Sequence, residues 1–299
     1  MDVSIVIRTK NEARYIGQTL EAISEQDFKG NYEIIIVDSE SADGTQNIAK
    51  RHGVNLIVIP QKDFSYGRSL NLGARQSRGR FIVNLSAHAL PVDNQWLGNL
   101  ISGFHDSKVA AVYGRQISNG RVNPLEAMQN ERFFGPEDTT FDSNSRRCLN
   151  NIHFSNSNCA IRKAVWSDFQ FHERVPYAED TLWQREVTQS GFSILYKANA
   201  GVYHTHKLTP GLAYKNSRGY AQTLAAIDQE SHSLFGILHD LGMFWGLLPL
   251  TTVSHLAYIW QRRYWHHLAM VPCAVFSMLA GWLVGRVEYR LNKGPGQGQ

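Results

Sequence analysis

Apolar and polar positions along the first 115 residues switch repeatedly between two periods. Val3-Ser4-Ile5-Val6-Ile7 is an apolar run of strand length, and residues 12–25 then place Ala13, Ile16, Leu20 and Ile23 at helical spacing. Glu33-Ile34-Ile35-Ile36-Val37 is a second strand pattern. It ends in the turn-rich Asp38-Ser39-Glu40-Ser41-Ala42-Asp43-Gly44, and a helix follows through Ile48 and Ala49. Residues 54–59 read as a third strand, 67–77 as a short helix, 81–85 as a fourth strand, 93–105 as a helix and 109–113 as a fifth strand. This alternation predicts an α/β fold with right-handed crossovers: a mostly parallel, Rossmann-like sheet with helices on both faces. Ligands of such sheets bind beyond the carboxyl ends of the strands. Here those ends carry Arg8-Thr9, Asp38-Ser39 and Ser86-Ala87-His88, polar groups at the tips of apolar strands.

Farther along, residues 116–160 are less regular and rich in Asn, Ser and Arg, as long functional loops often are. Residues 179–190 read as a helix, 192–196 as a strand and 211–230 as a helix, with His204-Thr205-His206 between the last two. The tail changes character. Residues 241–260 and 268–285 contain no formally charged side chain, and Gln261-Arg262-Arg263-Tyr264-Trp265-His266-His267 separates them. Both stretches sit at the lower edge of bilayer-spanning length. A spanning hairpin would split the basic residues between the two sides, against the positive-inside tendency. The expectation is a C-terminal helical apolar appendage lying in a membrane interface, with Trp, Tyr and Arg at headgroup level. The alternatives are helices packed on the core or on a second copy as a homodimer. The chain then divides into residues 1–115, a second half of the same domain at 116–232, the appendage at 233–293 and a disordered tail at 294–299.

Charge sharpens this division. The chain of 299 residues has a formal net charge of +4, and residues 231–299 hold +3 of it. The balanced remainder argues against a nucleic-acid groove, and the basic apolar tail suits anionic lipid. Cys148, Cys159 and Cys273 are sparse, odd in number and without a CxxC pair, which points to a reducing cytoplasm and away from structural zinc. Met1 leads directly into a strand pattern, so no signal peptide is expected.

Four blocks resemble a known family. Ser4-Ile5-Val6-Ile7-Arg8-Thr9-Lys10-Asn11-Glu12 resembles the opening strand and loop of family-2 glycosyltransferases. Glu33-Ile34-Ile35-Ile36-Val37-Asp38-Ser39-Glu40-Ser41-Ala42-Asp43-Gly44-Thr45 resembles their second strand and nucleotide-binding turn. Phe64-Ser65-Tyr66-Gly67-Arg68-Ser69-Leu70-Asn71-Leu72-Gly73-Ala74 is similar to a block of the rhamnosyltransferase-like branch, and Tyr177-Ala178-Glu179-Asp180-Thr181-Leu182-Trp183 to the acidic motif that carries the catalytic base. The blocks stand in the family's order over about residues 3–230.

The resemblance implies a GT-A fold and an inverting transfer of hexose or deoxyhexose from a nucleotide-diphosphate sugar to a glycan or polyprenyl-linked acceptor. It makes Asp180 the general base, with Glu179 the competing choice. The donor would be held by Arg8, Thr9, Glu12, Asp38, Ser39, Arg68, Ser86 and His88, with Asp38 facing solvent or ligand and accepting from the base. Plain structural readings stand beside these. Ser41 and Asp43 also fit a turn and helix cap, Glu12 and Asp180 fit first-turn carboxylates, and His204 and His206 fit two same-face residues of a strand.

One departure concerns the metal. The family carries an Asp-containing metal motif after the fourth strand, and His88 stands where that Asp is expected. A divalent cation, manganese or magnesium, would then be held by His88 and His206 with diphosphate oxygens; imidazole suits manganese better than magnesium. Otherwise His88 touches the diphosphate directly. The cellular place implied is the cytoplasm, peripherally on the inner face of the cell membrane. Rival readings are a nucleotidyltransferase, disfavoured by the glycine-free loop Thr9-Lys10-Asn11-Glu12-Ala13-Arg14, and an inactive membrane-associated scaffold with a decayed metal motif.

Overall fold

The computed structural model describes residues 1–118, 124–143, 154–205, 209–227, 233–263 and 265–291. Strands β1 (Val3–Thr9), β2 (Tyr32–Asp38), β3 (Asn55–Val58) and β4 (Phe81–Ser86) alternate with helices α1 (Ile16–Ser24), α2 (Thr45–Arg51) and α3 (Tyr66–Gln76). Then come β5 (Leu90–Pro91), α4 (Trp96–Ser102), β6 (Val109–Ile117), α5 (Pro124–Phe133), β7 (Thr139–Phe141), β8 (Asn158–Arg162), α6 (Lys163–Asp168), α7 (Glu179–Gln189) and β9 (Ser193–Tyr203). Helices α8 (Pro210–Ile227), α9 (Leu234–Gln261) and α10 (Met270–Leu291) complete the chain.

The strands form one sheet in the order β3-β2-β1-β4-β8-β6-β9-β5, with β7 also on β9. Strands β1 to β4 pair in parallel, as the alternation predicts. The irregular stretch 116–160 hides a central strand: β8 runs antiparallel between β4 and β6. Its apolar core is only Cys159-Ala160-Ile161, too short for periodicity to separate from a loop. Strand β9 is also longer than the apolar run suggests, because β6 pairs with it along its length through two register shifts, at Val109/Ala111 and Gly114/Gln116.

Alternation within β1 builds a core on each face. Val3, Ile5 and Ile7 pack with Ile16, Leu20 and Ile23 of α1 and with Trp96 and Leu97 of α4. Val6 points the other way, to Leu70 and Ala74 of α3, Trp166 of α6, and Trp183 and Val187 of α7. Helix α4 is shorter than the predicted 93–105. Asp93 accepts from the Gln95 backbone in a turn before it, and Gly103 follows its last residue.

The chain falls into two compact units. The sheet with helices α1 to α4, α6 and α7 makes the first. The second groups α8 with α9 and α10, although sequence pattern alone joins α8 to the preceding half. Within this second unit, Gly281 and Gly285 of α10 lie against the backbone of Tyr214 and Arg218; a Cβ at either position would stand 2.2 or 2.3 Å from a carbonyl oxygen. Arg218 donates twice to Glu288, each at 2.7 Å. Between α9 and α10, Asp240 is fully buried and accepts from Arg286 at 3.0 Å and Arg290 at 2.7 Å. Two such partners offset the desolvation of a carboxylate and fix which turns of the helices meet.

Gly73 tests the packing of α3 on β1. A Cβ there would fall 2.3 Å from Val6 Cγ1. Gly73→Val is expected to lower unfolding free energy by about 1–3 kcal/mol through overpacking, read as a lower urea midpoint with an unchanged slope. An unchanged midpoint would mean the interface has slack.

Candidate active site

Strand register gathers the predicted donor residues into one row. Thr9 of β1 stands beside Asp38 of β2, and Arg8 beside Ser86 of β4. The two loops beyond this row are stitched together. Lys10 Nζ donates to the carbonyls of Ser39 (2.5 Å) and Glu40 (2.8 Å). The backbone N–H groups of Asn11, Glu12 and Ala13 donate to Ser41 Oγ, Thr45 Oγ1 and Asp43 Oδ2. Asn11 and Glu40 hold left-handed backbone at φ +56° and +50°, strain that these bonds over-determine. Asp43 also accepts from the Thr45 backbone and hydroxyl, so the capping reading applies to it.

Asp38 departs from expectation. It has no exposed surface and does not face solvent. Its carboxylate accepts from Thr9 Oγ1 (2.7 Å), the Ser41 backbone (2.9 Å), Ser41 Oγ (2.6 Å) and Gln46 Nε2 (2.7 Å). The burial follows from its register against Thr9 and from the turn that folds Ser41 back over it. Ser39 beside it is 2% exposed, and its hydroxyl has no hydrogen-bond partner among the described residues. Among the described residues, Ser39 therefore fits a direct ligand contact better than Asp38.

At the end of β4, His88 Nδ1 lies 2.9 Å from Glu12 Oε1, and Nε2 lies 3.5 Å from Ser86 Oγ. The ring stacks on His204, with centroids 4.9 Å apart and 13° between planes. His204, which follows β9, is oriented by Gln116 Oε1 at 2.7 Å from Nδ1. Glu12 therefore sets the His88 ring as a carboxylate does behind a metal-bound histidine, and an Nδ1 proton given to Glu12 leaves Nε2 as the ligating nitrogen. Among the described residues no three His, Cys, Asp or Glu side chains are placed to hold a metal ion by themselves. A divalent ion would thus take one imidazole from the described chain and complete its shell with donor oxygens. His206, the other expected ligand, lies outside the described residues.

The acidic pair opens α7. Ala178, just before it, turns the chain with φ +60°, an uncommon conformation for a residue with a Cβ. Glu179 is 6% exposed. Asp180 keeps some exposed surface, but protein surrounds its carboxyl. Burial pushes that carboxyl up to about 7, the neighbouring Glu179 charge adds to the rise, and the Thr181 backbone N–H and Arg8 oppose it. The Arg8 guanidinium lies 4.8 Å from the Tyr66 ring centroid.

Arg68 sits in the first turn of α3 and faces Glu173 across 3.8 Å, so it is engaged within the fold. The sequence reading missed Tyr66, Gln116, Asn156 and the pairing of His204 with His88, all of them long-range partners with no local signature. On the α7 face a cavity of about 450 Å³ includes Tyr113, Tyr196, Arg132 and Glu137 in its lining. Tyr113 packs edge-on to Phe154, which stacks on Trp183 of α7.

Residues 4–169 match the family described as Glycosyl transferase family 2. The chain is 34% identical over 182 residues to the O-antigen chain rhamnosyltransferase WbaN of Salmonella anatum, a match spanning 60% of this chain and 58% of that protein. It is 30% identical to the O-antigen chain rhamnosyltransferase RfbN of Salmonella typhimurium, over 98% of this chain and 99% of that one. Among solved structures, the mannosyltransferase PcManGT from Pyrobaculum calidifontis, in complex with GDP-Man and Mn2+, aligns with a TM-score of 0.64 at 19% identity. That alignment covers 98% of this chain and 88% of that chain. TarS of S. aureus, residues 1–349 in complex with UDP-GlcNAc, aligns with a TM-score of 0.55 at 18% identity, covering 97% and 91%. At these identities the structural likeness establishes the GT-A fold.

The burial of Asp38 yields a stability prediction. Asp38→Ala strands donors from Thr9, Ser41 and Gln46, at about 1–3 kcal/mol for each that stays dry. A loss of about 3 kcal/mol in urea unfolding is expected. Unchanged stability with weakened nucleoside diphosphate binding would return Asp38 to direct ligand contact.

Proposed function

The chain belongs to glycosyl transferase family 2 and is a glycosyltransferase, and from that premise we propose an inverting enzyme that moves a deoxyhexose from a nucleoside-diphosphate donor to a hydroxyl of a lipid-linked glycan. Asp180 is the general base. It takes the acceptor hydroxyl's proton as that oxygen attacks the anomeric carbon, and the nucleoside diphosphate departs from the opposite face. Arg8 and His88 meet the charge that develops on the leaving diphosphate. A divalent cation bound with the donor would neutralise part of that charge, with His88 as its described ligand. The observation that carries this reading is the carboxyl pair at the head of α7. Both groups are withdrawn from water, and the Asp180 carboxyl is pushed up to about 7, where a general base works best. Two rhamnosyltransferase relatives support a deoxyhexose, and the aromatic floor of the 450 Å³ cavity suits the apolar face of an acceptor sugar. Family membership removes the nucleotidyltransferase alternative.

The second unit supports work at the inner face of a cell membrane. Helices α9 and α10, of 28 and 22 residues, are long and apolar enough to cross a bilayer. Helix α9 buries only a narrow seam, including Gly236, Asp240, Phe244, His255 and Ile259, and exposes Phe235 (80%), Leu250 (69%) and Trp245 (65%). The lower half of α10 is used differently, with Gly281 and Gly285 committed to α8. Helix α10 also exposes Phe276 (51%), so an interfacial placement would let lipid cover apolar side chains of both helices.

Asp180→Asn is expected to lose more than about 10²-fold in turnover while calorimetric affinity for the nucleoside diphosphate holds. Near-normal turnover, with Glu179→Gln inactive, would transfer the role to Glu179. The base must be ionised, so kcat/KM should fall about tenfold per pH unit below about 7 and level off above it.

Flotation tests the membrane reading. The intact protein should rise with anionic vesicles at low salt, and Arg262→Glu with Arg263→Glu should weaken that binding, each basic residue contributing about 1 kcal/mol. A protein that stays in the soluble fraction as a dimer would assign the α9 surface to a second copy.

A further inference from the structure

A thread of buried amides runs beneath the acidic pair. Asn84 of β4, Asn156 ahead of β8 and Cys159 of β8 are each at most 2% exposed. Asn84 Nδ2 donates to Asn156 Oδ1 at 3.1 Å, and Cys159 Sγ donates to the same oxygen at 3.6 Å. With two donors on its carbonyl oxygen, the Asn156 amide can take only one orientation, and its NH2 end donates to Glu179 Oε1 at 3.3 Å. Register explains the meeting: Asn84 pairs with Cys159 across β4 and β8, directly under the loop that carries Asn156.

We propose that Asn156 is a positioning residue for sugar transfer: oriented by Asn84 and Cys159, it pins the Glu179 carboxylate and so keeps that negative charge beside Asp180. The proposal rests on Asp180 being the general base. Two described side chains act on Asp180 besides its own helix end. Glu179 opposes its ionisation, Arg8 of β1 favours it, and the Cys159 thiol of β8 lies close enough to feel both Asp180 and Arg8. Burial pushes the Cys159 thiol up, so it carries no charge at neutral pH. Arg8 is permanently charged. Glu179 is thus the neighbour whose charge moves when a single hydrogen bond is lost. Released from Asn156, it can turn toward water, and Asp180 loses the repulsion that holds its proton.

The test is the pH dependence of kcat/KM for Asn156→Ala, Glu179→Gln and the double variant. Asn156→Ala should move the acid limb down by about one pH unit, in the same direction as Glu179→Gln. The double variant should shift no further than Glu179→Gln alone, because both changes remove one charge from one place. A fall in rate by the same factor at every pH, with the limb unmoved, would overturn the proposal. So would additive shifts in the double variant. Should Asn156→Ala not fold, Asn84→Ala removes the donor that orients the Asn156 amide and should give a smaller shift of the same sign; an unmoved limb there overturns the proposal equally. Asp180→Asn separates the two readings. If that variant keeps both turnover and the acid limb, the base assignment fails, whereas a lost limb with no effect of Asn156 sinks only the positioning role.

Discussion

A dry carboxylate between the first two strands organises the loops at the strand tips. Asp38 has no exposed surface, and four donors from Thr9, Ser41 and Gln46 compensate its charge. An ionised group in such a place is tolerated only when its lone pairs are filled. Those bonds tie the end of β1 to the turn after β2, and Lys10 adds a second tie through the carbonyls of Ser39 and Glu40. Arg8, Ser39 and Glu12 take their positions from this frame. A contact with the ligand by Asp38 itself would require breaking it, so its importance to a donor site is that of a keystone.

The proposed acceptor side follows the opposite rule. At the head of α7 two carboxyl groups stand side by side, and the cation acting on Asp180 is Arg8, itself stacked on Tyr66. Partial compensation leaves Asp180 basic enough to receive a proton near neutral pH. At Asp38, by contrast, four donors occupy the carboxylate and hold it within the fold. Under the proposed function the two aspartates differ as strut and reagent, according to how many donors surround each.

The helical unit separates its tasks along its length. Paired charges and glycines occupy the stretch of α10 that meets α8, where Glu288 takes Arg218 and Gln222. The Asp240 cluster holds α9 to α10, and Gly236 leaves room for the Arg290 guanidinium, which would lie 2.4 Å from a Cβ at that position. Beyond this clamp α9 exposes large apolar side chains on much of its circumference, an arrangement suited to lipid or to a second protein surface.

The main order of strand and helix over the first 115 residues, the polar row at the strand tips, the acidic pair and the apolar tail were legible in the sequence, because each rests on a local period or a contiguous motif. Apolar runs report which strands are buried on both faces, and turn residues report where they stop. Tertiary structure decided what local pattern cannot carry. β8 exists as a strand because β4 and β6 leave a gap for it, since its own three apolar residues are too few to announce it. Asp38 is interior because Ser41 and Gln46 fold over it, a matter of loop geometry. His88 meets His204, and Asn156 meets Glu179, across more than a hundred residues and more than twenty, respectively. Contacts of that kind are set by strand register and by the closing of loops, and register is a property of the assembled sheet rather than of any one strand.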